Sequence, residues 1–196
     1  MTPSQITIPA GVLKACLIFA ATKRRGTPYH IRVASDGNTR TYQATDGWSA
    51  ITIEMSAPGL SPEPEFDRLL TVADAQAGAK VGGRLPVPVG EHPYPYPDVD
   101  KLCDAFGAEM APGVRMGLNP GLFARIDAVA KALGIATTRE QIGRENGKKV
   151  KYQLPEPWQF AFRGTLGVVE ITPLPKQYGE SGITRLAILI MPARLD

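Results

Sequence analysis

Few side chains in this sequence could carry out nucleophilic or acid–base chemistry, and they are widely scattered. The two histidines are His30 and His92, and the two cysteines are Cys16 and Cys103. Metal sites and disulfide frameworks need such residues at paired spacings, and none of these four has a partner nearby in the sequence. The sequence also has no nucleophile elbow, no phosphate-binding glycine loop and no zinc-protease helix. We therefore expect a protein that is not an enzyme and binds neither a metal nor a cofactor.

Some carboxylates invite a catalytic interpretation, but their neighbours favour a simpler one. Glu63 and Glu65 stand among prolines, where a solvated pair is favoured over a catalytic one. Asp46 precedes Gly47, and an Asp-Gly pair is typical of a turn. His92 also lies beside a proline and is expected in an exposed loop.

Composition indicates an ordinary soluble domain. The chain has 196 residues, a net charge of +3, 43% hydrophobic residues and 21% charged residues. That length allows one domain with a real core, or two very small ones. The 20 glycines and 18 prolines argue against an all-helical bundle. No apolar run has the length of a membrane span and the first ten residues do not resemble a signal peptide, so we expect a cytoplasmic protein.

The first clear unit runs from Gln5 to Met55. From Leu13 to Ala20, apolar residues recur with the i, i+3, i+4, i+7 spacing of a helix that buries one face. An Asp-Gly pair at position 36, between two alternating runs, is a hairpin signal. The expected elements are a strand at 6–8, a helix from Pro9 to about Thr22, and strands at 30–35, 39–44 and 48–55.

Residues 114–196 repeat this order. Asn119 and Pro120 are typical of a helix start, and Gly134 of its end. The stripe from Leu122 to Leu133 predicts the buried face of this helix. Strands are expected at 114–118, 158–163, 167–172 and 183–191, and the basic stretch 139–151 is expected as a mobile loop. The fold class expected is α+β, with two strand–helix–three-strand halves on curved antiparallel sheets and both helices on one side.

The halves are expected at residues 1–56 and 113–196, joined by a segment at 57–112 and forming one domain together. Eight of the prolines lie between Ala57 and Pro97, which predicts an extended connector on the outside of the molecule. A strand near Leu69 and a short helical turn are expected within it. A simple polyproline linker and a functional role both remain open for this segment.

Three short segments resemble the bacterial DNA polymerase III beta subunit, the sliding clamp. Ala44–Ala50 resembles the family's Thr-Asp-Gly-His-Arg-Leu turn, Tyr96–Leu102 its Phe-Pro-Asp segment, and Leu189–Leu195 its closing Met-Pro-x-Arg-Leu strand. In that family the three segments form a pocket for short peptides of polymerases and loaders. Trp48 and Ser49 stand where the family has His and Arg, and the chain is roughly half the length of a three-domain clamp subunit. It therefore resembles a compact, phage-type clamp-like protein.

The resemblance implies a peptide-binding pocket and a processivity role in DNA replication. The implied pocket residues are Thr45, Gly47, Trp48, Pro97, Leu102, Leu189, Met191, Pro192 and Leu195. The implied partners are double-stranded DNA, peptides of a replicative polymerase or clamp loader, and further copies of this chain, with no membrane involved. A clamp-like adaptor that never encircles DNA is the alternative function, and a structural domain without partners is a weaker one.

Basic residues on or after the two predicted helices lie opposite the apolar stripes. Such residues suit sequence-independent phosphate contacts, although ordinary solvated helix faces would show the same pattern. The candidate DNA-binding residues are Lys14, Lys23, Arg24, Arg25, Arg125 and Lys131. Likewise, the stretch from Leu189 to Met191 could be either a pocket floor or the buried edge of the last strand.

Overall fold

Antiparallel strands and three helices make up the part of the chain that the computed structural model describes. That part comprises residues 5–20, 30–56, 65–81, 84–88, 96, 99, 116–117, 120–163, 168–174, 178, 182–190 and 193–194. The helices are α1 (Ala10–Phe19), α2 (Val72–Val81) and α3 (Gly121–Leu133). The strands are β1 (Gln5–Pro9), β2 (His30–Ser35), β3 (Thr39–Thr45), β4 (Ser49–Ser56), β5 (Phe66–Thr71), β6 (Arg84–Pro88), β7 (Met116–Gly117), β8 (Thr138–Glu145), β9 (Lys148–Pro155), β10 (Trp158–Arg163), β11 (Val168–Pro173), β12 (Ile183–Ile190) and β13 (Ala193–Arg194).

A seven-stranded sheet combines strands from the first and the last parts of the sequence. Its strand order is β10-β11-β12-β4-β3-β2-β5, and every neighbouring pair is antiparallel. The two predicted halves meet where β12 pairs with β4, with Ile188 opposite Ile51 and Leu189 opposite Ala50. Because β4 is central, it is buried on both faces along most of its length.

One face of this sheet carries the main core and the helices. Helix α1 packs on β3 and β4 and also contacts both α2 and α3. A Cβ atom on Gly11 would lie 2.3 Å from the backbone oxygen of Ala132, so only glycine permits this close approach of α1 and α3. Ile126 and Val129 of α3 join the same core cluster as Ile51 of β4. The two predicted helices therefore share one side of the sheet, as expected.

The buried stripe and the end signal predicted for α3 are confirmed, whereas the helix begins one residue later than expected, at Gly121, with Pro120 at its N-cap position. Ile126, Val129 and Leu133 are buried, and Leu122 is partly buried against the same cluster. Gly134 ends the helix in the left-handed region at φ 68°, where its N–H faces the carbonyls of the last turn.

The expectation of a mobile loop at 139–151 is wrong. This stretch lies within a hairpin in which β8 and β9 pair over eight residues each. Asn146 and Gly147 occupy its turn at φ 52° and 78°, and positive φ at both central positions is the mark of a type I′ turn. The turn's twist matches that of the flanking strands, so an ordered ribbon forms where charge alone suggested a loop.

The described part of the proline-rich segment is built into the fold. Strand β5 begins at Phe66, earlier than expected, and pairs with β2 at the edge of the main sheet. Helix α2 has ten residues and packs on α1. Strand β6 pairs with β1, and its prolines Pro86 and Pro88 are tolerated because that sheet has only two strands. The division into 1–56, 57–112 and 113–196 remains a prediction.

Candidate functional site

A small apolar cluster lies on the face of the main sheet opposite the helices. It consists of Ala50, Val99, Val168 and Leu189, with Tyr96 packed against them. Ala50 and Leu189 are direct partners across β4 and β12. Side chains alternate along a strand, so these two point away from the core that their neighbours Ile51 and Ile188 enter.

The cluster brings together the three sequence segments that resemble the clamp family. Ala50 belongs to the first segment, Tyr96 and Val99 to the second, and Leu189 to the third. Leu189 is only 5% exposed, so the cluster is filled by the chain's own side chains. Of the two interpretations that the sequence left open for this stretch, a pocket floor or the buried edge of the last strand, Leu189 itself fits the buried edge.

Tyr96 fastens the second segment to the sheet. Its hydroxyl donates a hydrogen bond of 3.1 Å to the backbone oxygen of Gln43 in β3. Burial raises the pKa of Tyr96 far above that of an exposed tyrosine, so the hydroxyl stays protonated and remains a donor.

A polar network next to this contact orients Gln43. Its amide oxygen accepts a 3.0 Å bond from Arg32, and its amide nitrogen donates to the hydroxyl of Thr52 at 3.4 Å. Arg32 in turn binds both carboxylate oxygens of Asp67, with the shortest contact at 2.7 Å. Gln43 is 1% exposed and would be costly to bury without these partners.

The turn between β3 and β4 holds three of the predicted pocket residues. The hydroxyl of Thr45 accepts a 3.0 Å bond from the N–H of Gly47 and donates one of 2.8 Å to the oxygen of Ser49. Gly47 adopts φ 83°, which favours glycine. The Trp48 side chain projects from this locked turn and is 61% exposed.

Asp46 is the centre of the turn's hydrogen bonding. Its Oδ1 accepts bonds from the N–H groups of Trp48 and Ser49, at 2.9 and 2.8 Å, and from the Ser49 hydroxyl at 3.0 Å. Its Oδ2 accepts a 2.7 Å bond from Arg125 of α3. Partial burial raises the pKa of Asp46, but the bonds from Arg125, Trp48 and Ser49 outweigh it and hold that pKa below its usual value. The turn-forming role expected for Asp46 is confirmed.

Arg125, a candidate DNA-binding residue, is engaged by this turn. Besides Asp46, its guanidinium donates a 2.8 Å bond to the Ser49 hydroxyl and lies 5.6 Å from the centre of the Phe19 ring. The residue therefore ties α3 to α1 and to the β3–β4 turn. The sequence alone does not predict this ion pair, because Asp46 and Arg125 are 79 positions apart and the residues around each give no sign of the partner.

The remaining site residues are placed as follows. Lys14 is exposed on α1, and Lys131 is exposed on α3, where it pairs with Asp127 at 2.6 Å. The other predicted residues lie outside the described part: Lys23, Arg24, Arg25, Pro97, Leu102, Met191, Pro192 and Leu195.

Reactive groups are sparse in the described ranges. Burial raises the pKa of the Cys16 thiol to about 12, so it stays protonated and unreactive. Within the same ranges, no three His, Cys, Asp or Glu residues group so as to hold a metal ion, and no helix is long and apolar enough to cross a membrane.

The fold is that of the sliding clamps. A DNA polymerase III beta subunit from Thermotoga maritima is 12% identical and superposes with a TM-score of 0.54, over 100% of this chain and 67% of that one. A DNA polymerase sliding clamp from Pseudomonas aeruginosa is 11% identical and superposes with a TM-score of 0.53, over 100% of this chain and 68% of that one. A Helicobacter pylori beta clamp, solved in complex with carprofen, is 10% identical and superposes with a TM-score of 0.54, over 100% of this chain and 68% of that one.

This similarity concerns the fold, since the identities are only 10–12%. No family model matches the sequence, and no curated protein does. The chain spans about two thirds of the length of these clamps.

Proposed function

We propose that this chain is a sliding-clamp-like processivity factor for DNA replication. In this role it binds duplex DNA without sequence preference and docks short peptides of a replicative polymerase or clamp loader. The observation that carries the proposal is the cluster of Ala50, Tyr96, Val99 and Leu189, where three clamp-like sequence segments meet on one face of a clamp-fold sheet. Since these segments are far apart in sequence, their meeting is not a consequence of local structure.

Peptide docking needs an apolar groove with fixed polar groups at its border. The exposed Trp48 ring offers a stacking wall, and the Thr45–Asp46–Arg125 bonds keep that wall rigid. Leu189 is buried beneath this groove and would support its floor, which the final segment from Met191 to Leu195 would line. Burying one leucine and one aromatic ring of a peptide is worth about 3–6 kcal/mol before ordering costs, which suits micromolar affinity.

Ring closure would use the two free edges of the main sheet. Strands β5 and β10 end the seven-stranded order, so each has one edge without a partner strand among the described elements. Head-to-tail pairing of β10 in one copy with β5 in the next would join these edges. Phe160 of β10 is 41% exposed and lies 6.4 Å from the half-exposed ring of Phe123, which gives this junction an apolar contact.

The docking function is tested with a fluorescent peptide taken from a bacterial replicative polymerase. The peptide contains a leucine and an aromatic residue, and its fluorescence anisotropy is followed as the protein is added. Wild-type protein should bind with micromolar affinity, and both Trp48→Ala and a chain lacking residues 191–196 should bind at least tenfold more weakly. Val81→Ala is the matched control, because Val81 is 72% exposed on α2 and lies outside the three segments. Equal binding by all four proteins, or by none, would contradict the docking function.

Two measurements separate the encircling function from the alternative adaptor: the solution mass from light scattering, and retention of the protein on closed circular and on linear DNA. An oligomer that stays on closed circular DNA and slides off linear DNA would support the encircling function. A stable monomer that still binds the peptide would favour the adaptor.

A further inference from the structure

The β8–β9 hairpin stands apart from the rest of the fold. Its two strands form a sheet of their own, and no residue of β8 is buried. Eight extended residues span about 26 Å, so the ribbon is long for an element exposed on both faces. Two-stranded hairpins are only marginally stable by themselves in water. An exposed ribbon of this length therefore calls for an explanation beyond packing.

Local features keep the ribbon ordered. The type I′ turn at Asn146 and Gly147 sets its register. Tyr152 lies over Gly143 so closely that a Cβ there would be 2.7 Å from the ring. At the base, the N–H of Glu156 donates a 2.8 Å bond to the oxygen of Thr137 and closes the two strands.

The hairpin carries the whole net charge of the protein. Residues 138–155 contain five cations and two carboxylates, a net charge of +3, which equals the net charge of the full chain. The rest of the sequence is therefore neutral in sum. The five cations are Arg139, Arg144, Lys148, Lys149 and Lys151.

Two of these cations oppose each other near the tip. Arg144 is the direct cross-strand partner of Lys149, whereas Lys148 stands opposite Glu145. Like charges at directly opposed positions destabilise a ribbon. Within the described residues, neither Arg144 nor Lys149 has an ion-pair partner, while Lys151 pairs with Glu140 at 3.1 Å. An anion bound between the opposed pair would remove the repulsion.

The ribbon follows α3 closely in the sequence. The contact of Gly11 with Ala132 brings the start of α1 to the end of α3. Lys14 in α1 and Lys131 in the last turn of α3 are both exposed near this junction, and β8 starts at Thr138 soon after α3 ends. The hairpin thus follows directly, in the sequence, on the helix that carries the candidate residues Arg125 and Lys131.

We propose that the β8–β9 hairpin is a DNA-binding arm whose Arg144 and Lys149 contact phosphates of a duplex. The inference rests on the proposed binding of duplex DNA and adds a second element to it. A duplex suits the arm because phosphates recur densely along its whole length, which matches a ribbon with cations from base to tip. The contacts are to the backbone, so the arm adds affinity without sequence preference.

The test measures binding of a fluorescein-labelled 30-base-pair duplex between 50 and 200 mM salt. Each phosphate contact contributes about 0.9 to the slope of log K against log salt, so Arg144→Gln/Lys149→Gln should lower the slope by about 1.8 and weaken binding at 0.1 M salt by roughly 10- to 60-fold. The exchange Arg144→Lys/Lys149→Arg keeps both charges and should retain the wild-type slope. The control Asn38→Asp/Thr184→Glu removes the same two units of net charge at exposed positions outside the hairpin, and should leave the slope within about 0.3.

A measurement without variants complements the test. Acetylation of Lys148 and Lys149 by a limiting reagent, read by mass spectrometry, should slow several-fold when duplex is present, and acetylation of Lys80 on the exposed side of α2 should slow less.

The outcomes separate the arm from the proposed function. If wild-type protein binds DNA and the glutamine variant shows the same slope of log K against log salt, the proposal of a DNA-binding arm is wrong, and DNA binding by the helices is still supported. If wild-type protein does not bind DNA, both the arm and the DNA half of the proposed function are wrong, while the peptide titration still decides docking. Preferential binding of a poly-glutamate peptide that depends on Arg144 and Lys149 would overturn the arm in favour of an acidic protein partner.

Discussion

Two turns of the main sheet share a sequence pattern and a hydrogen-bond pattern. Ser35–Thr39 and Thr45–Ser49 both read hydroxyl residue, Asp, Gly, any residue, hydroxyl residue. In each, the hydroxyl accepts a bond from the glycine N–H, at 3.2 Å in the first turn and 3.0 Å in the second. In each, the aspartate accepts bonds from the next two N–H groups after the glycine. The local sequence therefore determines the turn in both places.

The turns differ in the tertiary partner of the aspartate and in the residue that follows the glycine. Asp36 is fully exposed, and the residue after its glycine is the small Asn38. Asp46 is partly buried and bound to Arg125 of α3, and the residue after its glycine is Trp48. A tertiary partner thus converts a common turn into a rigid support for an exposed aromatic ring. This is the difference that a binding site requires.

Removing the tertiary bond should give the largest difference between the turns. Arg125→Ala leaves a partly buried carboxylate without its cation, so we expect a loss of about 2–3 kcal/mol in the free energy of unfolding. Asp46→Ala should lose a similar amount, and the double variant should show a coupling energy of about 1–3 kcal/mol in urea unfolding.

Asp36→Ala is the matched control for this cycle. It removes the same turn bonds without a tertiary partner, so its effect should be clearly smaller and additive with Arg125→Ala. A coupling energy near zero between Asp46 and Arg125 would mean that the turn is set by its local sequence alone.

The glycines should respond alike in the two turns. Gly37 and Gly47 have φ values of 95° and 83°, where a Cβ is strained. Gly37→Ala and Gly47→Ala should each destabilise the protein by about 1 kcal/mol, because the strain is local. Thermal unfolding of both variants measures this, and a much larger effect at Gly47 would show that the tertiary contact also constrains the backbone.

Acid should weaken both turns, by a smaller amount than either substitution. The pKa of Asp36 is lowered by bonds from the N–H groups of Thr39 and Asn38, and that of Asp46 lies below its usual value despite burial. A carboxyl group with a lowered folded-state pKa stabilises the fold above its unfolded-state pKa, and this stabilisation is lost as the pH falls through the folded value. Stability should therefore fall below about pH 4. The fall should be shallower in Asp46→Asn, and an unchanged profile in that variant would contradict the assigned bonds.

Local signals were sufficient to predict the parts of the fold that depend on neighbours in sequence. The Asp-Gly turns, the α3 stripe ending at Gly134 and the strands β10, β11 and β12 all follow from periodicity and turn chemistry. The Asn146-Gly147 pair is an equally local signal for a type I′ turn, but the prediction for 139–151 rested on its basic charge. Strands exposed on both faces lack the apolar alternation that identifies a strand, so the sequence pattern does not distinguish this hairpin from a loop.

Contacts between distant segments had no such signal. The Asp46–Arg125 bond, the pairing of β1 with the proline-containing β6 and the meeting of Ala50 with Leu189 all depend on the assembled fold. Only the resemblance of three segments to clamp sequences indicated that Ala50, Tyr96 and Leu189 would be neighbours, and the cluster places them together. The role of the remaining pocket residues, which lie outside the described part of the chain, is still a prediction.

Exchanging the variable residues of the two turns should have the smallest effect on stability and should give the largest difference in peptide binding. Trp48 is 61% exposed, and Asn38 is exposed at the equivalent position. Surface changes of this kind usually shift stability by less than about 0.5 kcal/mol, so Trp48→Asn and Asn38→Trp should both fold normally. If the second turn forms the peptide site, Trp48→Asn should weaken peptide binding at least tenfold, and adding Asn38→Trp should not restore it. Restoration by a tryptophan in the first turn would show that any exposed aromatic ring suffices, and that the Arg125-bound turn has no special role in docking.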